Sequence, residues 1–323
     1  MRSLYPEISQ FHTYLLKTSG AHQVYVEQSG NPEGIPVLFL HGGPCSGTKP
    51  DHRRFFDPAR YRIILFDQRG CGNSLPFGEL EHNSTEELLA DMEQIRQALQ
   101  IEQWVLFGGS WGATLALLYA QQFTQRVSAL IIRGVFLARQ KDLDWFAKEG
   151  ANRIYPEQWQ SLRECAPDAS AEEFVPALFA ALWSNDEAKR NRVASEWLAW
   201  GGQVALGSLY TPAPTAEPVT EKMLKQVRME LHYAVHRYFM DENQILAHCK
   251  LLQDIPTIII HGRNDLVCPM EAAMRLHEAL PHANYRVLPN AGHIAQGEEM
   301  IDALVAATDC IAERLSSHFN ALP

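Results

Sequence analysis

The sequence predicts an α/β protein: a doubly wound, mostly parallel sheet interrupted by one helical insertion. Three observations predict it. Short apolar runs of strand length alternate with segments of helical length and composition. The alternation stops near residue 134 and resumes near residue 254. A serine flanked by glycines stands where one apolar run turns into a helix. With 323 residues and 46% hydrophobic content, the chain is long enough to bury a sizeable core. The expected organisation is a sheet domain built from residues 1–134 and 254–323, with a helical cap domain at 135–253.

Taken in order, residues 37–40, 63–66, 104–107 and 129–132 read as buried parallel strands, and residues 257–260 and 285–288 read the same way after the interruption. Residues 86–99 and 113–123 have helix length between them. Ser84, with Glu87 three residues on, makes a capping box for the first of these helices. The interruption holds five of the seven tryptophans (Trp145, Trp159, Trp183, Trp197 and Trp200), mostly helical periodicity, and a proline-punctuated loop at 211–218. Packing of helix on helix is the ordinary use of such tryptophans.

Composition narrows the function. The net charge of −10 argues against a nucleic-acid partner. It is compatible with a cationic substrate, although solubility explains surface acidity as readily. The first ten residues lack the apolar core of a signal peptide. No apolar run approaches the ~20 residues needed to cross a bilayer, so no membrane partner is expected. The six cysteines (Cys45, Cys71, Cys165, Cys249, Cys268 and Cys310) are scattered without a C-x-x-C pair, which reads as reduced thiols in the cytoplasm. No dinucleotide fingerprint or phosphate-binding loop is present. His232 and His236 stand four apart but lack the glutamate of H-E-x-x-H. Neither a metal nor an organic cofactor is implied.

The chemistry lies in Gly108-Gly109-Ser110-Trp111-Gly112, a G-x-S-x-G run between a predicted strand and a predicted helix. A serine on such a turn is exposed at a strand end, with the positive end of the following helix behind it. A serine hydroxyl needs a base, and the base needs an orienting acid. Asp265 follows the strand at 257–260, and His293 follows the strand at 285–288. Ser110, Asp265 and His293 therefore occur in the chain order of an α/β-hydrolase triad, each at the C-terminal edge of a predicted strand. His41-Gly42-Gly43-Pro44 follows the first strand, so the amides of Gly43 and Trp111 are the expected oxyanion donors. Asp67-Gln68-Arg69-Gly70 reads as a structural turn bracing the neighbouring loop.

Beyond these residues the chain resembles the proline iminopeptidases (prolyl aminopeptidases), serine peptidases of the α/β-hydrolase class. The resemblance runs from Tyr5 to about Asp309. It is most specific at Asp67-Gln68-Arg69-Gly70-Cys71-Gly72 and at Gly108-Gly109-Ser110-Trp111-Gly112. It implies release of N-terminal proline from short peptides through an acyl-enzyme. A free cationic amine beside the scissile bond then needs a buried carboxylate. The resemblance implies two cap glutamates for this, one in W-x-x-W-E and one in R-x-E-x-H-Y. Arg228-Met229-Glu230-Leu231-His232-Tyr233 matches the second and nominates Glu230. Phe136, Trp197 and Trp200 are expected to shape the ring pocket.

The first motif departs from the family. Trp197-Leu198-Ala199-Trp200 is followed by Gly201 where the glutamate should stand. Three readings stay open: Glu196 substitutes, Glu230 alone suffices, or the substrate is not an N-terminal proline. The last would make the chain a related amino-acid amidase, broader aminopeptidase or esterase. A hydrolase-fold protein that only binds a ligand under its cap is the reading from a different class. Cys45 is a second departure, standing where glycine usually continues the loop. Both Cys45 and Cys268 are expected near the site and open to thiol reagents. Oligomeric state is not legible in the sequence.

Overall fold

The structure is a computed structural model and describes residues 1–212 and 218–319. Most of the proline-punctuated loop expected at 211–218 therefore lies outside the described residues. The chain opens with strands β1 (Gln10–Lys17), β2 (Gln23–Gly30), β3 (Ile35–Leu40) and β4 (Tyr61–Asp67). Helix α1 (Thr85–Ala98), β5 (Trp104–Ser110), α2 (Trp111–Gln122) and β6 (Val127–Val135) follow. Five helices come next: α3 (Gln140–Ala147), α4 (Pro156–Arg163), α5 (Phe174–Ala181), α6 (Glu187–Leu206) and α7 (Glu221–Val235). The short α8 (Gln244–Ala247) leads back to β7 (Thr257–Gly262), α9 (Met270–Ala279), β8 (Asn284–Leu288) and α10 (Glu298–Phe319).

The strands form one sheet in the order β1-β2-β4-β3-β5-β6-β7-β8. β1, β2 and β4 pair antiparallel, and every pairing from β4 through β8 is parallel. Alternate residues of the central strands feed two cores, as a period of two requires. Leu38, Ile64, Leu106 and Ile132 pack toward α1, α2 and α9. Val37, Ile63, Val105 and Ile131 pack toward α10 on the opposite face. A third core joins α5, α6 and α7 through Phe174, Leu178, Trp200, Val227 and Leu231. Trp200 is fully buried and packs its ring 5.1 Å from Trp159, the helix-on-helix use expected of these tryptophans.

The six expected strands all form, each extended by one to five residues. The Ser84–Glu87 capping box is present, with each side chain bonded to the other residue's amide. The sequence reading missed β1 and β2. β1 is a largely exposed edge strand with no apolar run. β2 is buried, but three of its buried residues are Glu27, Gln28 and Ser29. Glu27 is admitted there because Arg53 reaches it with two bonds, at 2.7 and 2.9 Å. Removing one partner of such a pair strands a buried charge. Arg53→Met is expected to lower stability by about 3–5 kcal/mol, measured by denaturant unfolding. An effect below about 1 kcal/mol would show that Glu27 is readily hydrated in the variant.

Candidate active site

β5 ends in a turn that only glycine permits on both sides of the serine. A Cβ on Gly108 would collide with the backbone of Gly112, and one on Gly112 would collide with the carbonyls of Leu40 and His41. α2 can thus press directly against the end of β3. Between these glycines Ser110 takes φ 56° and ψ −124° (a region that ordinary residues rarely occupy), immediately before the first residue of α2. Strain of this kind places the hydroxyl above the sheet edge and leaves the first amide of α2, that of Trp111, beside it.

The loop after β3 is fixed from below. The amide of Gln68 donates to His41 Nε2 at 3.1 Å, which puts the imidazole proton on Nδ1, where it donates to the Gly42 carbonyl at 2.9 Å. The Gln68 side-chain amide donates to the His41 carbonyl at 2.9 Å and accepts from Trp111 Nε1 at 3.0 Å. Burial lowers the His41 pKa, so the ring stays neutral and structural. Gly43 and Ser110 line one cavity of about 520 Å³.

The other two predicted residues meet beneath that cavity. Asp265, in the loop after β7, accepts the amides of Cys268 at 2.8 Å and Val267 at 3.0 Å on Oδ1. Its Oδ2 lies 2.8 Å from His293 Nδ1. Burial works against ionisation of Asp265, but His293, His261 and the Cys268 amide outweigh it and hold the carboxyl below its ordinary value. Arg133 donates to the carbonyl of His293 and so pins its loop to β6. One side-chain atom from each of Asp265, Cys268 and His293 lies within 4.8 Å of the others, and Cys268 lines the same cavity as Ser110. Asp265 and His293 are thereby held in one buried cluster, while the half-buried Ser110 lines the adjoining cavity.

The cavity is roofed by the helices between β6 and β7. Trp197 on α6 donates to Glu230 Oε2 at 2.7 Å, and Gln226 donates to Oε1 at 3.0 Å. Both partners are neutral, and among the described residues no cation pairs with Glu230. Burial raises its pKa, more than these two bonds lower it. α7 is anchored to the sheet layer through Asn83, which bonds the Tyr233 hydroxyl at 2.7 Å and the His232 ring at 3.1 Å. Phe136 also lines the cavity, with Tyr238 packed edge-on 5.0 Å away.

Some expected residues stand elsewhere. Trp200 does not line the cavity; its indole donates to the Phe146 carbonyl at 3.0 Å and its ring is interred among the helices. Glu196, one of the candidates to replace the missing glutamate, faces Arg192 and Glu164 instead. Gly201 does line the cavity. Cys268 borders the cavity, whereas the Cys45 thiol points to the Gly70 carbonyl, 3.6 Å away. Tyr238, Phe146 and Arg237 are cavity residues that the sequence reading missed. Tyr238 and Arg237 lie in a short irregular turn after α7 with positive φ, and no local pattern announces them.

Two expectations follow. A carboxyl whose folded pKa is raised binds its proton more tightly folded than unfolded, so its contribution favours folding at low pH and is lost as pH rises through the folded value. Glu230→Gln, which mimics the protonated form, should therefore raise the melting temperature more at pH 8 than at pH 5. A stability difference that is flat or falls with pH would show that Glu230 is solvated. Burial also raises the Cys268 pKa, so alkylating agents should react slowly while mercurials inhibit. Cys268→Ser should abolish mercurial inhibition and Cys45→Ser should not; inhibition that survives Cys268→Ser would point to another thiol.

Comparison with known proteins places this geometry. The α/β hydrolase fold family matches residues 35–299. A probable proline iminopeptidase of Leptolyngbya boryana is 42% identical over 96% of this chain and 97% of its own length. The proline iminopeptidase of Xanthomonas citri is 42% identical over 97% of this chain and 100% of its own, and that of Arabidopsis thaliana 41% over 95% and 82%. Among solved structures, a proline iminopeptidase-related protein of Thermus thermophilus superposes with a TM-score of 0.57 at 23% identity, covering 98% of this chain and 100% of that one. An α/β fold family hydrolase of Bacillus anthracis superposes at 0.58 with 19% identity, covering 94% and 99%. With near-complete coverage by relatives more than 40% identical, the chain belongs to the proline iminopeptidase family of α/β hydrolases.

Proposed function

We propose that this protein is a serine aminopeptidase that releases N-terminal proline from short peptides. One observation carries the reading: a half-buried carboxylate with only neutral partners, Glu230, lines the same cavity as the strained Ser110. Each Glu230 oxygen has one accepted bond and a free lone pair, which suits the two N–H groups of a prolyl ammonium.

Ser110 Oγ attacks the scissile carbonyl, and His293 Nε2 takes its proton and passes it to the leaving amine. Asp265, bonded to Nδ1, selects the tautomer that leaves Nε2 free and stabilises the imidazolium. The amides of Gly43 and Trp111 receive the oxyanion, with the N-terminus of α2 behind it. Water then repeats the attack on the prolyl-serine ester, with His293 again as base. Residues 135–253 act as a cap that excludes water and carries the amine grip, over a catalytic domain formed by residues 1–134 and 254–323. The substrate is a short peptide or amino-acid amide with a free N-terminal amine. The free state of all six cysteines supports a cytoplasmic setting. Among the described residues no helix is long and apolar enough to cross a membrane.

Gly201 favours a second reading in one respect, since it leaves a single carboxylate at the amine; a broader aminopeptidase or esterase would use the same machinery. Hydrolysis of Pro-p-nitroanilide against N-acetyl-Pro-p-nitroanilide and p-nitrophenyl acetate separates the two. The expected outcome is at least a hundredfold preference for the free prolyl amide. Ser110→Ala should lower kcat about 10⁶-fold and Asp265→Asn about 10⁴-fold. Because ionised Glu230 is the binding form, kcat/KM should fall on acidification and Glu230→Gln should raise KM. Ester hydrolysis without any prolyl preference would replace the aminopeptidase reading by the broader one.

A further inference from the structure

Gly201 has no structural reason to be glycine. It lies inside α6, where glycine weakens a helix, and a Cβ built there meets no atom within 4 Å. Its neighbour Gly202 differs, since the ring of Tyr210 packs against it. Gly201 stands one turn after Trp197, on the same helix face, and both line the cavity that holds Ser110 and Glu230. Trp197 is also the residue that bonds Glu230 Oε2. The bare helix at 201 therefore leaves open space in the cavity that Glu230 also lines.

Glu230 supplies the opposing constraint. It is half-buried without a cationic partner among the described residues, so a ligand that displaces water there and brings no positive charge leaves it unpaired. Extra room combined with an undiminished demand for a cation selects one class of ligand: amines that carry a substituent on nitrogen and keep their charge. We propose that this enzyme also releases N-alkylated prolyl residues from peptide N-termini, N-methylproline being the simplest, with the alkyl group lying over Gly201. The proposal rests on the aminopeptidase reading above. The single N–H of the tertiary ammonium donates to one Glu230 oxygen, and the alkyl group replaces the second N–H. An N-acyl group has the bulk but not the charge, and an added residue moves the charge off the ring nitrogen to its own α-amine, so both are rejected.

The chemistry is unchanged. Ser110 Oγ bonds to the carbonyl carbon, the C–N bond of the amide breaks, and the serine proton leaves on the departing amine through His293. Water then gives free N-methylproline and restores the hydroxyl.

The test is a comparison of kcat/KM for Pro-, N-methyl-Pro- and N-acetyl-Pro-p-nitroanilide in the wild type, Gly201→Ala and Gly201→Leu, with melting temperatures to confirm folding. The wild type should cleave the N-methyl substrate within tenfold of the prolyl one and at least a hundredfold better than the N-acetyl one. The N-methyl to prolyl ratio should fall slightly in Gly201→Ala and tenfold or more in Gly201→Leu. If Gly201→Leu does not fold, the wild-type ratios still decide. Rejection of the N-methyl substrate as strongly as the N-acetyl one, or a ratio unmoved by leucine, overturns the proposal while prolyl cleavage stands. Loss of both amides with ester hydrolysis intact overturns the aminopeptidase reading along with it.

Discussion

The proposed oxyanion loop and the start of α2 depend on a side chain that is not itself among those lining the cavity. Gln68 bonds the carbonyl of His41 and the indole of Trp111 through its side chain, and the ring of His41 through its amide. The loop after β3, the turn after β4 and the first residue of α2 are thus one hydrogen-bonded body. Each of these bonds contributes only about 1 kcal/mol to stability. Their larger effect is positional, because an oxyanion site works only if its donors are held to within about half an ångström. The glycines of the serine turn let α2 come close enough to β3 for this clamp to close.

Carboxylates buried elsewhere in the molecule are paired with a cation or, at Asp67, saturated by four neutral donors from Thr48 and Asn73; Glu230 has neither. Glu27 is paired with Arg53, Asp91 with Arg69, and Asp142 with Arg139, all inside the protein. Asp265 has His293 and two backbone amides. Glu230 alone among these carboxylates is held by an indole and a side-chain amide, both neutral. A carboxylate partly desolvated without a cation is costly, which is why its proton affinity rises. Under the proposed function the cost is removed when a substrate ammonium arrives, which would link an unfavourable feature of the free protein to selectivity for a charged N-terminus. Asp142 borders the same cavity but is already committed to Arg139, so it cannot take over the role of a second glutamate.

What the sequence disclosed and what it hid divide along physical lines. The parallel strands were legible because burial on both faces makes them continuous apolar runs. Ser110, Asp265 and His293 were legible because each follows such a run at a strand end, where short-range pattern and tertiary position coincide. β2 was hidden because Glu27, Gln28 and Ser29 look solvent-exposed until Arg53 is brought beside them from a distant turn. Trp197 and Trp200 look equivalent in the chain. Only the packing of α6 against Phe146 and Trp159 sends one ring into the core and leaves the other on the cavity. Tyr238 had no signal at all, because its position follows from an irregular turn rather than from periodicity.

The same division bears on how such a protein changes its substrate. The proposed bond-making groups sit at the ends of strands whose register is fixed by a sheet buried on both faces, so displacing any of them disturbs the core. The proposed amine grip and the walls around it sit on helices joined to the rest of the chain by side-chain contacts such as the Asn83 bonds to α7. A substitution on the cavity face of these helices alters the shape and charge offered to the substrate while leaving the reacting geometry in place. Gly201 is such a position, since nothing packs on it. Specificity can therefore move at a residue whose fold-level constraint is close to nil, while Ser110 stays locked in a conformation that its neighbours dictate.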